Sequence, residues 1–211
     1  LDYASDLEAL SEALEVEQFH IFAHGFGALV AYEYTRRNPE RVAGLILVGA
    51  WSPLYTQTED GYDRFDERIA FNQPPSGTAV PNPIPENTAT DCRPELLATL
   101  PVRFIEVDRQ SFPPEIEAIT CSNVAKLSTE GELTSLRPDY ADVAANFAGR
   151  VMYIDGSGNS ISIEGVANLF NIDDLEFNIA LPGSGFFAWA DDPNVRAAFF
   201  EDHMTTYFTS L

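Results

Sequence analysis

Residues 19–48 restrict what this chain can fold into more than any other segment. Phe19 to Ala23 (Phe-His-Ile-Phe-Ala) is a largely apolar, β-favouring run that reaches a glycine at Gly25. Gly27 to Arg37 then has helical character, with Leu29, Val30 and Tyr34 on related faces. Arg36 and Arg37 fall where the helix macrodipole favours positive charge, and Pro39 bars continuation. Val42 to Val48 is a second unbroken apolar run. Strand, glycine turn, helix and strand make a βαβ unit. Strands that are apolar throughout, instead of alternating, belong to parallel sheets covered on both faces. An α/β fold is therefore expected.

The flanking segments extend this pattern. Asp2 to Leu14 places Leu7, Leu10 and Leu14 at helical spacing with acids between them, which predicts an amphipathic helix. From Trp51 to about Ala148 the pattern dissolves, and five prolines lie between Pro74 and Pro85. Short helices are expected over Arg64 to Phe71, Pro94 to Leu100 and Pro113 to Leu127. Order resumes with a strand over Val151 to Ile154 and the glycine-rich Gly156-Ser157-Gly158-Asn159. A helix over Ile163 to Phe170, a strand over Leu175 to Leu181 and the turn Pro182-Gly183-Ser184-Gly185 follow. Asp192 to Leu211 closes as an amphipathic helix with Val195, Phe199 and Phe208 among its apolar positions. The expected division is a first core part over 1–51, a cap or insertion over 52–148, and a second core part over 149–211.

Charge narrows the partners. Thirty-three acids face twelve basic residues, only one of them a lysine (Lys126), for a net charge of -21. Such a surface repels nucleic-acid phosphates and anionic lipid, and no apolar run approaches the roughly 20 residues of a membrane span. Neither nucleic-acid binding nor membrane insertion is expected. The two cysteines, Cys92 and Cys121, have no histidines near them and cannot assemble the four ligands of a zinc site. Two readings stay open for them, a disulfide and a pair of unpaired structural thiols. A bridge would stabilise the fold by about 3 kcal/mol and places the chain in an oxidising, secreted or extracytoplasmic, compartment.

The segments Asp6-Leu7-Glu8-Ala9-Leu10, His24-Gly25-Phe26-Gly27 and Asn38-Pro39-Glu40-Arg41-Val42-Ala43-Gly44-Leu45 resemble the nucleophile-elbow region of α/β-hydrolases. The nearest branch is that of the proline iminopeptidases and tripeptidyl aminopeptidases. The likeness is strong over residues 1–53, moderate over 149–211 and weak between. It implies a mostly parallel sheet flanked by helices, with a cap inserted after the strand that ends near Gly49. It also implies four strands and a helix earlier in the fold than residue 1. One of those strands would pair beside Phe19–Ala23, so a partner chain or an N-terminal segment is expected to complete the sheet there.

The same resemblance locates three catalytic positions, and none holds the catalytic residue. The elbow reads G-x-S-x-G in the family, and its serine position here is Gly25, which has no hydroxyl to acylate. The acid position, three residues after Gly156, is Asn159, which cannot supply the charge that stabilises an imidazolium. The base position, after Gly183-Ser184-Gly185, is Phe186. The only histidines are His20, His24 and His203, all remote in sequence from that turn. Asp155 precedes its glycine and reads as the end of a strand; Ser157 and Ser184 read as turn residues. The expectation is a catalytically inactive homologue acting as a binding or structural subunit, without cofactor or metal. Its former cleft, near His24, Phe26 and Trp51, would suit a small apolar ligand. The competing expectation is an aminopeptidase- or esterase-type serine hydrolase with a rearranged site.

Overall fold

The two apolar runs at the front of the chain become neighbouring strands of one parallel sheet. The computed structural model describes residues 3–54, 56–57, 60, 63, 86–103, 120–156, 170, 178–181, 187 and 198–210. Strand β1 (Phe19–His24) pairs with β2 (Val42–Val48), β2 with β3 (Arg150–Gly156) and β3 with β4 (Asn178–Leu181), all parallel, in that order across the sheet. Helix α2 (Gly27–Arg37) makes the crossover from β1 to β2. The strands need no polar alternation because both faces are covered. One face presents Ile21, Ala23, Leu45, Leu47, Val151 and Tyr153 to α1 (Tyr3–Ala13) and α2. The other presents Ile46, Val48, Met152, Ile154 and Leu181 to Phe199 and Tyr207 of the C-terminal segment. Leu29, Leu45 and Ile46 are fully buried, and each such side chain contributes roughly 1.5–3 kcal/mol.

Helix α1 lies on the first face, but not by the leucine stripe that its spacing suggests. Leu10 and Leu14 are 53% and 64% exposed, whereas Ala4 and Ser11 are buried and Leu7 packs against the core. Polar anchoring sets this rotation. Glu8 accepts from the Tyr34 hydroxyl at 2.7 Å and from Arg41 at 2.5 Å. Arg41 also donates to the Val16 carbonyl, so the face carrying Ala4, Glu8 and Ser11 turns inward.

The stretch between β2 and β3 contains α3 (Arg93–Arg103), α4 (Asn123–Leu136) and α5 (Ala141–Asn146). Of the helix expected from Pro113 to Leu127, residues 113–119 lie outside the described residues; residues 120–122 are not helical, and α4 starts at Asn123, where the Ser122 side chain accepts from the Ala125 amide, a hydroxyl cap of the kind that fixes a helix start. Cys92 and Cys121 are joined in a disulfide, so the bridged reading holds over free thiols. The C-terminal segment runs as a π-helix over Ala198–Met204 and tightens into α6 (Thr205–Thr209). Phe199 and Tyr207 are buried, and Phe208 is 47% exposed. The helices expected over Arg64–Phe71 and Ile163–Phe170, the turn Pro182–Gly185, and Val195 lie outside the described residues, save Phe170, which is buried.

Candidate functional site

The candidate site is the crevice where the strands end and the glycine turn hands the chain to α2. Gly25 is buried and holds φ at 52°, a region that L side chains enter at a cost of roughly 1–2 kcal/mol. Its amide donates to the Val48 carbonyl at 3.2 Å. Its own carbonyl accepts from the Ala28 amide and the Trp51 amide, both at 3.1 Å. The turn is thus tied to β2, to the first turn of α2 and to the loop after β2. It is a strand-to-helix elbow with hydrogen at the position where a nucleophilic side chain would project.

Aromatic rings stand beside this elbow. Phe26 meets Trp51 edge to face with centroids 5.6 Å apart, and Tyr3 meets Phe26 at 6.2 Å. The Trp51 carbonyl accepts from the buried Tyr32 hydroxyl at 3.0 Å. Burial raises the Tyr32 pKa, which keeps that phenol a donor. Tyr3, Phe26 and Trp51 form one wall of a cavity of about 550 Å³. The opposite wall is α3 and α4, with Leu96, Ala125 and Leu133 facing the space and the Cys92–Cys121 bridge at its edge. Lys126 spans the two helices there, its Nζ 2.9 and 2.7 Å from the two Glu95 carboxylate oxygens and 4.0 Å from Glu130.

The positions expected from the sequence do not all converge. Phe26 and Trp51 meet at the cavity, while His24 is on the other side of the sheet. Alternate β1 residues point to opposite faces. Ile21 and Ala23 join the core beneath α2, whereas His20, Phe22 and His24 meet Tyr207, Phe199 and Phe187 respectively. His24 is therefore removed from the pocket in which Phe26 and Trp51 stand. Asn159, Phe186, Ser157 and Ser184 lie outside the described residues. Asp155 sits in β3 and is 6% exposed. Its carboxylate accepts from the Tyr153 hydroxyl at 3.0 Å and from the Gly156 amide at 2.9 Å, so it acts as part of the strand end. Ser52 is buried, donating to Gln57 and accepting from the Leu54 amide. Among the described residues no group of His, Cys, Asp and Glu is arranged to hold a metal ion.

The sequence reading did not place Tyr3, Leu96 or Leu133 at the site. The solitary Lys126, spaced i,i+4 from Glu130 and five residues after Cys121, was the available signal for the α3–α4 wall.

A sequence model described as the alpha/beta hydrolase fold matches residues 1–174. The chain belongs to that family. An abhydrolase domain-containing protein, lid-1 of Caenorhabditis elegans, is 39% identical over 51 residues, which is 24% of this chain and 14% of the length of lid-1. Two solved structures share the fold. A proline iminopeptidase-related protein from Thermus thermophilus is 22% identical, covering 99% of this chain and 71% of its own, with a TM-score of 0.57. A thermophilic esterase from Thermogutta terrifontis is 17% identical, covering 96% and 71%, with a TM-score of 0.58. At these identities the structures speak for architecture, and residue identities at the elbow must speak for chemistry.

Proposed function

We propose that this member of the hydrolase-fold family is catalytically silent and acts as a binding or structural subunit. The observation that carries the reading is Gly25. The backbone of the elbow is retained, with its positive φ and its hydrogen bonds to Val48 and Trp51, and the hydroxyl that would attack an acyl carbon is missing. Two supports come from elsewhere in the chain. Asparagine and phenylalanine stand at the acid and base positions, Asn159 and Phe186. Both histidines of β1 face away from the elbow pocket. A fold held by apolar burial persists without its triad. In this reading the aromatic cavity beside the elbow holds a small apolar ligand.

The reading includes a protein companion. β1 is the end strand of the sheet, and among the described strands it pairs only with β2. An apolar end strand recruits another strand or aggregates unless it is covered. A partner chain, or an N-terminal segment, supplies the strand beside Phe19–Ala23. The oxidised cysteine pair fits a secreted or extracytoplasmic location.

The competing reading, an aminopeptidase- or esterase-type hydrolase with a rearranged site, draws on the family and its esterase and proline iminopeptidase-related neighbours. A panel of p-nitrophenyl esters and amino-acid anilides separates the two. Silence predicts hydrolysis no faster than buffer for every member. Saturable turnover of even one, abolished by a serine-directed inhibitor, would establish the hydrolase instead.

A further inference from the structure

The cavity beside the elbow is assembled across the Cys92–Cys121 bridge, and this gives it a property beyond simple ligand binding. Among the described residues of α3 and α4, the far wall joins the main apolar core through Leu133. Helix α4 turns Asn123, Lys126, Thr129 and Leu133 inward and leaves Val124, Leu127 and Leu136 about 60% exposed. Several ties hold its start against that of α3, among them the Asn123 amide donating to the Thr90 carbonyl at 3.1 Å and the Asn123 side chain donating to the Thr88 carbonyl at 2.8 Å. The disulfide joins the residue before α3 to the segment just before α4. A short backbone pairing follows, with the Cys92 amide donating to the Cys121 carbonyl at 3.3 Å and Asp91 bridged to Ser122. One turn further along, Lys126 is clasped by Glu95. The disulfide is the covalent member of this set, and both cysteines line the cavity.

Charge at the rim decides what enters. Both Glu95 oxygens hold Lys126, and Glu130 adds a further carboxylate beside it. An anionic ligand would have to displace Glu95 from the lysine while facing Glu130 and a chain of net charge -21. The interior wall of Phe26, Trp51, Leu96 and Leu133 is apolar, and a space of about 550 Å³ is within the range of small-molecule sites.

We propose that this cavity binds an apolar, non-anionic small molecule only while Cys92 and Cys121 are bridged, so that ligand occupancy follows the redox state of the cap. The proposal rests on the reading of the cleft as a binding site. Cys92 is 1% exposed and Cys121 is half-buried, which makes Cys121 the sulfur that a reductant reaches. A dithiol attacks there as the thiolate, the Cys92–Cys121 bond breaks, and a mixed disulfide forms with Cys121. The second thiolate of the reductant resolves it. Two electrons and two protons pass to the two cysteine thiols, and the reductant leaves as its own disulfide. Freed of the bridge, α4 separates from α3 and the apolar wall opens to water.

The test is a fluorescence titration of the uncharged dye N-phenyl-1-naphthylamine into the full chain, oxidised and after treatment with dithiothreitol. Circular dichroism monitors the sheet. The expected result is one saturable site in the oxidised protein and affinity at least tenfold weaker after reduction. The Cys92→Ser/Cys121→Ser double variant behaves like the reduced chain. With the bridge intact, Ala125→Phe fills the space and removes binding, so the site stays testable even if the cysteine variant misfolds. Equal affinity in the oxidised and reduced chain, or binding indifferent to Ala125→Phe, overturns the proposal. Covalent labelling of the oxidised chain by a fluorophosphonate would overturn the silent reading and leave the dye result to decide the redox dependence by itself.

Discussion

At the residue scale, two positions show how the backbone and side chains constrain each other. Gly25 keeps a left-handed conformation that serine tolerates in an active elbow only under strain. Gly25→Ala should therefore destabilise the fold by about 1–2 kcal/mol, read as a lower urea midpoint, although it adds one methyl group and no charge. An unchanged midpoint would mean that the turn is not held in that conformation. Gly44 serves a different need. A Cβ there would run into the Tyr207 hydroxyl and lie 2.7 Å from His20 Nδ1 and 2.9 Å from the Arg150 carbonyl. The space is taken by the 2.9 Å hydrogen bond between His20 and Tyr207 that fixes α6 to the edge of the sheet. Arg150 lies over the Tyr207 ring at 4.9 Å and donates to the Tyr207 carbonyl. Burial, and secondly the Arg150 guanidinium, hold the His20 pKa below its ordinary value. The unfolded chain takes up a proton near pH 6.5 that the folded chain resists, so stability should fall as pH drops through and below that value. Denaturation curves between pH 7.5 and 5 should show this loss, and His20→Gln should flatten it. Equal slopes for the two proteins would remove His20 from the account.

At the element scale, what could be read in advance depended on whether the information was local. Helix α2 and strand β2 were legible to the residue, and β1 nearly so. Continuous apolar runs, a glycine turn, two C-terminal arginines and a proline all lie within thirty residues of one another. The start of helix α4 at Asn123 was not legible because it is set by one hydroxyl, Ser122, within a stretch rich in helix-compatible residues. Ser122→Ala should weaken that start by about 1 kcal/mol. Hydrogen exchange at the Ala125 amide should then speed up by about fivefold, while β2 amides are unaffected. No change at Ala125 would assign the helix start to the disulfide alone. The inward face of α1 was misread for a related reason. Leucine spacing pointed to Leu10 and Leu14, but Glu8 is anchored by Tyr34 and Arg41, residues 26 and 33 positions away. In the C-terminal segment Tyr207, eight positions after Phe199, shares its buried face, whereas Phe208 falls on the opposite side, as a helical period places them.

At the scale of the whole molecule, the parallel sheet and the family were legible because strands and elbow follow one another closely in the chain. The site was legible only in part. Phe26 adjoins the elbow in sequence and Trp51 follows the neighbouring strand β2, but Leu96, Leu133 and Tyr3 reach the cavity through tertiary packing that no short motif records. His24 was grouped with them by proximity along the chain, and the strand pleat sends it to the opposite face. The sheet also makes a demand on its surroundings. With β1 at its end, the purified protein should carry a companion polypeptide or N-terminal segment, visible by native mass spectrometry as a species heavier than the 211-residue chain. A soluble monomer of these residues alone would remove the need for strand pairing. The proposed catalytic silence rests above all on the glycine at position 25 of the elbow. Its most direct measurement is the intact mass of the oxidised protein after exposure to an excess of a fluorophosphonate probe. The account predicts an unshifted mass; a stoichiometric adduct mapped by peptide sequencing to one serine would contradict it.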